Sequence, residues 1–180
     1  IMIQQIIQDL EDDSAAQGRN IINIILCDNS LLLTKQTTER VKHDLKEYEV
    51  NGELYMEFSS HSRTSYHDAH SVIGGLIANG IKNILCCTNG KRSDDIFTII
   101  KKLNESDITR NSFFFKIWLD EADKFTNYID STFKPLVDEY QNIQVHCITA
   151  TPKKLFDRYN SMNVLPIENT TTPVYHGWED

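Results

Sequence analysis

Residues 113–125, FFFKIWLDEADKF, run apolar for most of their length and then present three carboxylates in four positions, Asp120, Glu121 and Asp123. A short apolar run bounded by polar residues and lacking alternation reads as a strand covered on both faces, as in a parallel sheet. The run begins as SFFFKIWL (112–119), and four others share its character: NIINIILC (20–27), ELYMEF (53–58), KNILCC (82–87) and IQVHCITA (143–150). Between them lie SLLLTKQTTERVKHDLKEY, DAHSVIGGLIANG, SDDIFTIIKKLNES and FTNYIDSTFKPLVDEYQ. Their apolar residues recur at three and four, with Ser or Asp at helix-capping positions. Strands alternating with helices predict an α/β fold, a parallel sheet with helices on both faces.

The chain has 180 residues, 40% of them hydrophobic, enough for one sizeable core and too few for two comfortable domains. It contains no apolar run of about 18 residues, so no membrane partner is expected. Four cysteines inside strand-like runs (Cys27, Cys86, Cys87, Cys147) read as buried thiols in a reducing compartment, which makes a cytoplasmic or other intracellular location the expectation. The net charge of −8 argues against a surface uniformly suited to nucleic acid. Yet Lys35, Arg63, Lys91, Arg92, Lys153 and Lys154 all follow strand ends. They read either as a basic rim that tracks phosphates or as ordinary surface cations. The start, IMIQQIIQDLEDD, puts Ile3, Ile6, Ile7 and Leu10 on one helical face without a capping residue, and reads as the remainder of a longer protein.

In an open parallel sheet, ligands sit beyond the carboxyl ends of the strands, where Asp120 and Glu121 emerge. One such carboxylate can hold hydrated Mg²⁺ through its waters, and a neighbour can take a proton from water attacking a phosphoryl group. The same acids also suit a plain helix start, where the dipole favours negative charge. In HCITATPKKLF a second apolar run ends in Thr149, Ala150 and Thr151, bringing hydroxyls to the same edge about thirty residues later. The strands ending at Leu119 and Ile148 should therefore be parallel neighbours, with Asp120 or Glu121 within hydrogen-bond reach of Thr149 or Thr151. His61, His67 and His70 in SSHSRTSYHDAH have irregular spacing and read as a solvated loop rather than a metal site. Gly74 and Gly75 read as close helix packing, with a hinge as the alternative.

LDEAD followed at this distance by TAT resembles motifs II and III of the DEAD/DEAH-type superfamily 2 helicases and translocases. LCDNSLLLTKQTTERV is similar to motif Ia of that family, and CCTNGKRSDDI to its Thr-x-Gly-Arg element. The resemblance implies a partial first RecA-like motor domain, a P-loop NTPase fold, over residues 1–155. A tail at 156–180 would lead toward a second motor domain. It implies an ATP-dependent nucleic-acid helicase with ATP and Mg²⁺ as cofactors and DNA or RNA as partner. Asp120, Glu121 and Asp123 would serve Mg-ATP, with Asp120 holding the ion through water. Thr149 and Thr151 would couple nucleotide state to domain movement. Asn29, Gln36, Thr88, Gly90, Lys91 and Arg92 would contact nucleic-acid phosphates.

The family's Gly-x-x-x-x-Gly-Lys-Ser/Thr loop has no counterpart among the seven glycines, and the nearest segment, TNGKRS, lacks the first Gly and the hydroxyl after Lys91. The resemblance places that loop just before Ile1. The chain alone is therefore expected to be catalytically inactive. The strand at 143–150 should be an unprotected edge through which the fragment self-associates, unless the tail covers it. Two alternatives stay open: a non-hydrolysing nucleic-acid-binding or interaction module on the same sheet, and a P-loop ATPase that remodels proteins.

Overall fold

A computed structural model describes residues 2–11, 18–27, 31–46, 55–58 and 66–159. Five strands, β1 (Asn20–Cys27), β2 (Tyr55–Phe58), β3 (Asn83–Cys87), β4 (Phe113–Asp120) and β5 (Ile143–Ile148), form one sheet in the order β2-β3-β1-β4-β5. Every pairing is parallel. The helices are α1 (Met2–Glu11), α2 (Leu31–Leu45), α3 (Ala69–Ala78), α4 (Gly90–Glu105), α5 (Asp107–Ser112), α6 (Thr126–Tyr128), α7 (Lys134–Glu139) and α8 (Lys153–Phe156).

Two cores lie on opposite sides of the sheet. On one, Ile6 of α1 and Val41 and Leu45 of α2 cover Ile25, Leu85 and Trp118. On the other, α3, α4 and the α6–α7 segment cover Ile24, Ile84, Ile117 and Leu119. The connection from β1 to β2 moves one way along the sheet, and all later connections move the other way. Covering helices change face with that reversal, as crossovers of a single hand require.

Register explains which side chains meet. On the α1/α2 face one row runs Asn83, Asn23, Lys116, Gln144, and the next runs Leu85, Ile25, Trp118, His146. Asn83, Asn23 and Lys116 of the polar row are buried, Gln144 on the outer strand is exposed, and the amides bond across strands: Asn23 Nδ2 donates to Asn83 Oδ1 at 3.2 Å, and Trp118 Nε1 donates to Asn23 Oδ1 at 2.9 Å. Lys116 Nζ donates to both carboxylate oxygens of Asp9 on α1, at 2.8 and 2.7 Å. His146 stacks on Trp118 with ring centroids 4.2 Å apart. Burial, with Lys116 nearby, holds the His146 imidazole below its ordinary pKa.

The sequence boundaries need three adjustments. Helix α4 begins at Gly90, earlier than the SDD expected to open it, because the Asn89 side chain caps it by accepting from Arg92 N at 3.0 Å. Helix α5 is short, buries no residue and carries no apolar periodicity to announce it. The helix expected over FTNYIDSTFKPLVDEYQ contains a π turn at Ile129–Phe133, just before Pro135. Proline removes one backbone donor and crowds the preceding turn, and the wider turn absorbs both.

Gly75 meets the packing expectation and Gly74 does not. A Cβ at Gly75 would lie 2.6 Å from Tyr66 Cε1 and 3.1 Å from Met56 Cε, whereas one at Gly74 meets open space. Gly74→Ala should therefore stabilise the protein by up to about 1 kcal/mol through helix propensity. Gly75→Ala should destabilise it by about 1–3 kcal/mol through overpacking. Urea unfolding of both variants checks the pair, and equal effects of one sign would refute it.

Candidate functional site

The carboxyl edge of the sheet collects the singled-out residues because all five strands point the same way. At the end of β4, Asp120 is partly exposed, and its Oδ1 accepts the Glu121 N–H at 3.1 Å. Glu121 has φ 54° and ψ 43°, the one non-glycine residue with positive φ among the described residues. Holding an L-residue there costs about 1–2 kcal/mol, strain of a kind that clusters at functional sites. The chain then tightens into a 3₁₀ turn, Ala122–Lys124, with Lys124 Nζ 3.6 Å from Glu121 Oε2.

The exits of β4 and β5 are neighbours, as expected, since Asp120 stands in register with Ile148. The acid that reaches the hydroxyls is Asp123, not Asp120 or Glu121. Thr149 Oγ1 donates to Asp123 Oδ1 at 2.5 Å, and Thr151 N donates to Thr149 Oγ1 at 3.0 Å. The 3₁₀ turn carries Asp123 sideways over β5, while Asp120 remains in the plane of its own strand. The Thr149 hydroxyl, helped by that of Thr151 and by Lys154, holds the Asp123 carboxyl below the usual carboxylate range.

The phosphate-contact candidates separate. Thr88 is buried, and its N–H and Oγ1 both donate to Cys27 O, at 2.8 and 2.7 Å, tying the exit of β3 to that of β1. Gly90 opens α4, Lys91 is exposed in its first turn, and Gln36 is exposed on α2. Arg92 turns inward: its side chain is 3% exposed, its guanidinium lies 4.0 Å from the Phe58 ring centroid, and Nη1 pairs with Asp95 at 2.9 Å. As placed, Arg92 is a packed and paired group, and the exposed cations of the rim are Lys35, Lys91, Lys153 and Lys154. Asn29, Arg63, His61 and the tail from residue 160 lie outside the described residues.

Beyond the sequence motifs, Arg158 and Tyr159 clamp Asp130. Arg158 Nε donates to Asp130 Oδ2 at 2.8 Å and Tyr159 Oη to Asp130 Oδ1 at 2.7 Å. This ties the segment after Thr151 to the π turn, a contact no local spacing could reveal. Among the described residues, no group of three or more His, Cys, Asp or Glu is arranged to hold a metal directly. A single partly exposed carboxylate at Asp120 fits a cation held through its own waters. A shallow cleft lined by Asp9, Asn20 and Lys82 opens at the amino ends of the strands. Ligands of open parallel sheets bind at the opposite, carboxyl end, where the acids and hydroxyls converge.

Thr149→Val should raise the Asp123 pKa toward its ordinary value, because the hydroxyl that favours the carboxylate is gone. A carboxyl-carbon NMR titration reads this, and an unmoved Asp123 would remove the link from solution. Comparison with family models, with curated protein sequences and with solved structures finds no match to this chain.

Proposed function

We propose that this chain is part of an ATP-driven nucleic-acid helicase or translocase, contributing most of a first RecA-like motor domain. The observation that carries the reading is the joined pair of strand exits, Asp120-Glu121-Ala122-Asp123 bonded through Asp123 to Thr149-Ala150-Thr151. Motif resemblance alone gives the acids and hydroxyls an order and a spacing in sequence. Their direct hydrogen bond supports one unit that relates the nucleotide side to the neighbouring strand.

In this reading Asp120 holds Mg²⁺ through water, and the ion neutralises phosphate charge when bound with ATP. Glu121 orients and deprotonates the attacking water. Asp123 passes the state of the β4 exit to Thr149 and Thr151. The N-terminal turn of α4, with Lys91, and Gln36 on α2 contact the nucleic-acid backbone. Arg92 supports α4 from beneath by stacking on Phe58. No Gly-x-x-x-x-Gly-Lys-Ser/Thr loop occurs in the 180 residues, which favours a second reading of this chain by itself as a non-hydrolysing nucleic-acid-binding module.

Fluorescence anisotropy with single-stranded DNA and RNA tests both readings against a protein-remodelling ATPase. Binding should weaken steeply as salt rises, and Lys91→Ala should lower both the affinity and the salt slope. Salt-independent binding or none would refute a nucleic-acid partner. ATP should bind this chain weakly and turn over undetectably, because an acid cannot replace a backbone cradle for phosphates. In a protein that joins these residues to such a loop, Glu121→Gln should keep ATP binding and cut turnover about a hundredfold or more. Unchanged turnover would take Glu121 out of the reaction.

Among the described residues β5 has a strand neighbour on one side only, and Val145, His146, Cys147 and Ile148 are half-buried. An edge with unpaired backbone groups and apolar side chains pairs readily. The chain should therefore self-associate unless the tail covers this edge, and light scattering that finds a monomer at high concentration, together with slow hydrogen exchange along residues 143–150, would count against the unprotected edge.

A further inference from the structure

Cys27 and Cys87 are in-register partners on β1 and β3. Two residues upstream, their neighbours Ile25 and Leu85 are also partners, and both lie in the core beneath α1 and α2. Alternation along the strands therefore puts the two thiols on that same face, side by side. In-register residues on adjacent strands stand about 4.8 Å apart. This falls within the Cα separation of about 4.4–6.8 Å that a disulfide accepts. The other two thiols have no such neighbour: Cys86 pairs in register with Leu26 and Phe58, and Cys147 with Leu119.

The location gives the pair a consequence. In chain order β1 is followed by α2, which covers one face of the sheet, and β3 by α4, which covers the other. The connections of β1 and β3 thus diverge to opposite faces, which makes the carboxyl ends of these two strands a switch point of the sheet. The two Thr88 hydrogen bonds to Cys27 O span that divergence.

We propose that Cys27 and Cys87 form a reversible dithiol–disulfide couple that clamps the exits of β1 and β3 together. Cys87, the more exposed of the two, attacks a small-molecule disulfide of the glutathione class as thiolate. One small thiol leaves and a mixed disulfide forms on Cys87. The Cys27 sulfur then gives up its proton, attacks the Cys87 sulfur and expels the second small thiol. Two protein thiols are oxidised, one small disulfide is reduced to two thiols, and the protons end on the leaving thiols. The couple depends only on the sheet, and stands with or without the nucleic-acid reading.

The test treats the native chain with oxidised glutathione, alkylates the remaining thiols and maps disulfides by mass spectrometry without reduction. Because Cys86 and Cys87 are adjacent, Cys86→Ala is treated in parallel to assign the link. The expected result is a Cys27–Cys87 peptide from monomeric protein in both samples, absent in Cys87→Ser. Hydrogen exchange over residues 88–92 should slow on oxidation and recover with dithiothreitol. A mixed disulfide that stays on Cys87 with Cys27 still a thiol, or a link through Cys86 or Cys147 instead, would overturn the couple. Unchanged exchange in linked protein would overturn the clamp.

Discussion

The ion pair between Lys116 and Asp9 obliges the sheet to keep its first helix. Lys116 sits in the middle of β4, whose other residues through Leu119 are apolar and buried, and its side chain is 9% exposed. A charge there is tolerable only with a partner, and Asp9, 5% exposed, supplies it from α1. Breaking such a pair by removing one member costs about 3–5 kcal/mol. That is comparable with the whole stability margin of a small domain, about 5–15 kcal/mol. The row through Asn23 and Asn83 extends the same demand across β1 and β3, since each buried amide needs its cross-strand neighbour. Polar groups in this face thus fix register, and register fixes which side chains reach the carboxyl edge together.

Much of this was legible from apolar runs alone. NIINIILC is β1 residue for residue, and IQVHCITA overruns β5 only by the Thr149-Ala150 exit that carries the site. Buried strands announce themselves because both faces must be apolar, and the helices between them because one face must be. The polar row stayed hidden for the same reason. Asn23, Asn83 and Lys116 look like blemishes in their own strands, and only the order β3-β1-β4 sets them side by side. Asp9 showed no sign of being a partner, lying 107 positions from Lys116.

The shared edge of the candidate site was legible, and its wiring was not. Strand exits predicted that acids and hydroxyls would share an edge, and they do. Which acid bonds which hydroxyl depends on the left-handed turn at Glu121, a backbone choice that no propensity assigns to glutamate. Arg92 illustrates the opposite failure. A cation after a strand end reads as surface, yet the Asn89 cap starts α4 early enough that its first turn directs this side chain over Phe58. The Asp130 clamp depends on the π turn set by Pro135, and so on packing between segments 28 or more residues apart.

The link from Asp123 to Thr149 has a strength suited to being made and broken. Asp123 and Thr149 are both partly exposed at the sheet edge, so their charge-assisted hydrogen bond competes with water. A bond to a charged group is worth about 1.5–3 kcal/mol when shielded, and less in solvent. A coupling near 1 kcal/mol changes an equilibrium about fivefold, the lower end of what coupled sites display. The Lys116–Asp9 pair, sealed inside the sheet, could not respond so readily to a ligand. Rigidity therefore resides at the middle of the strands and responsiveness at their exits. The strained Glu121 joins the two, between Asp120 in the strand ladder and Asp123 bonded to Thr149.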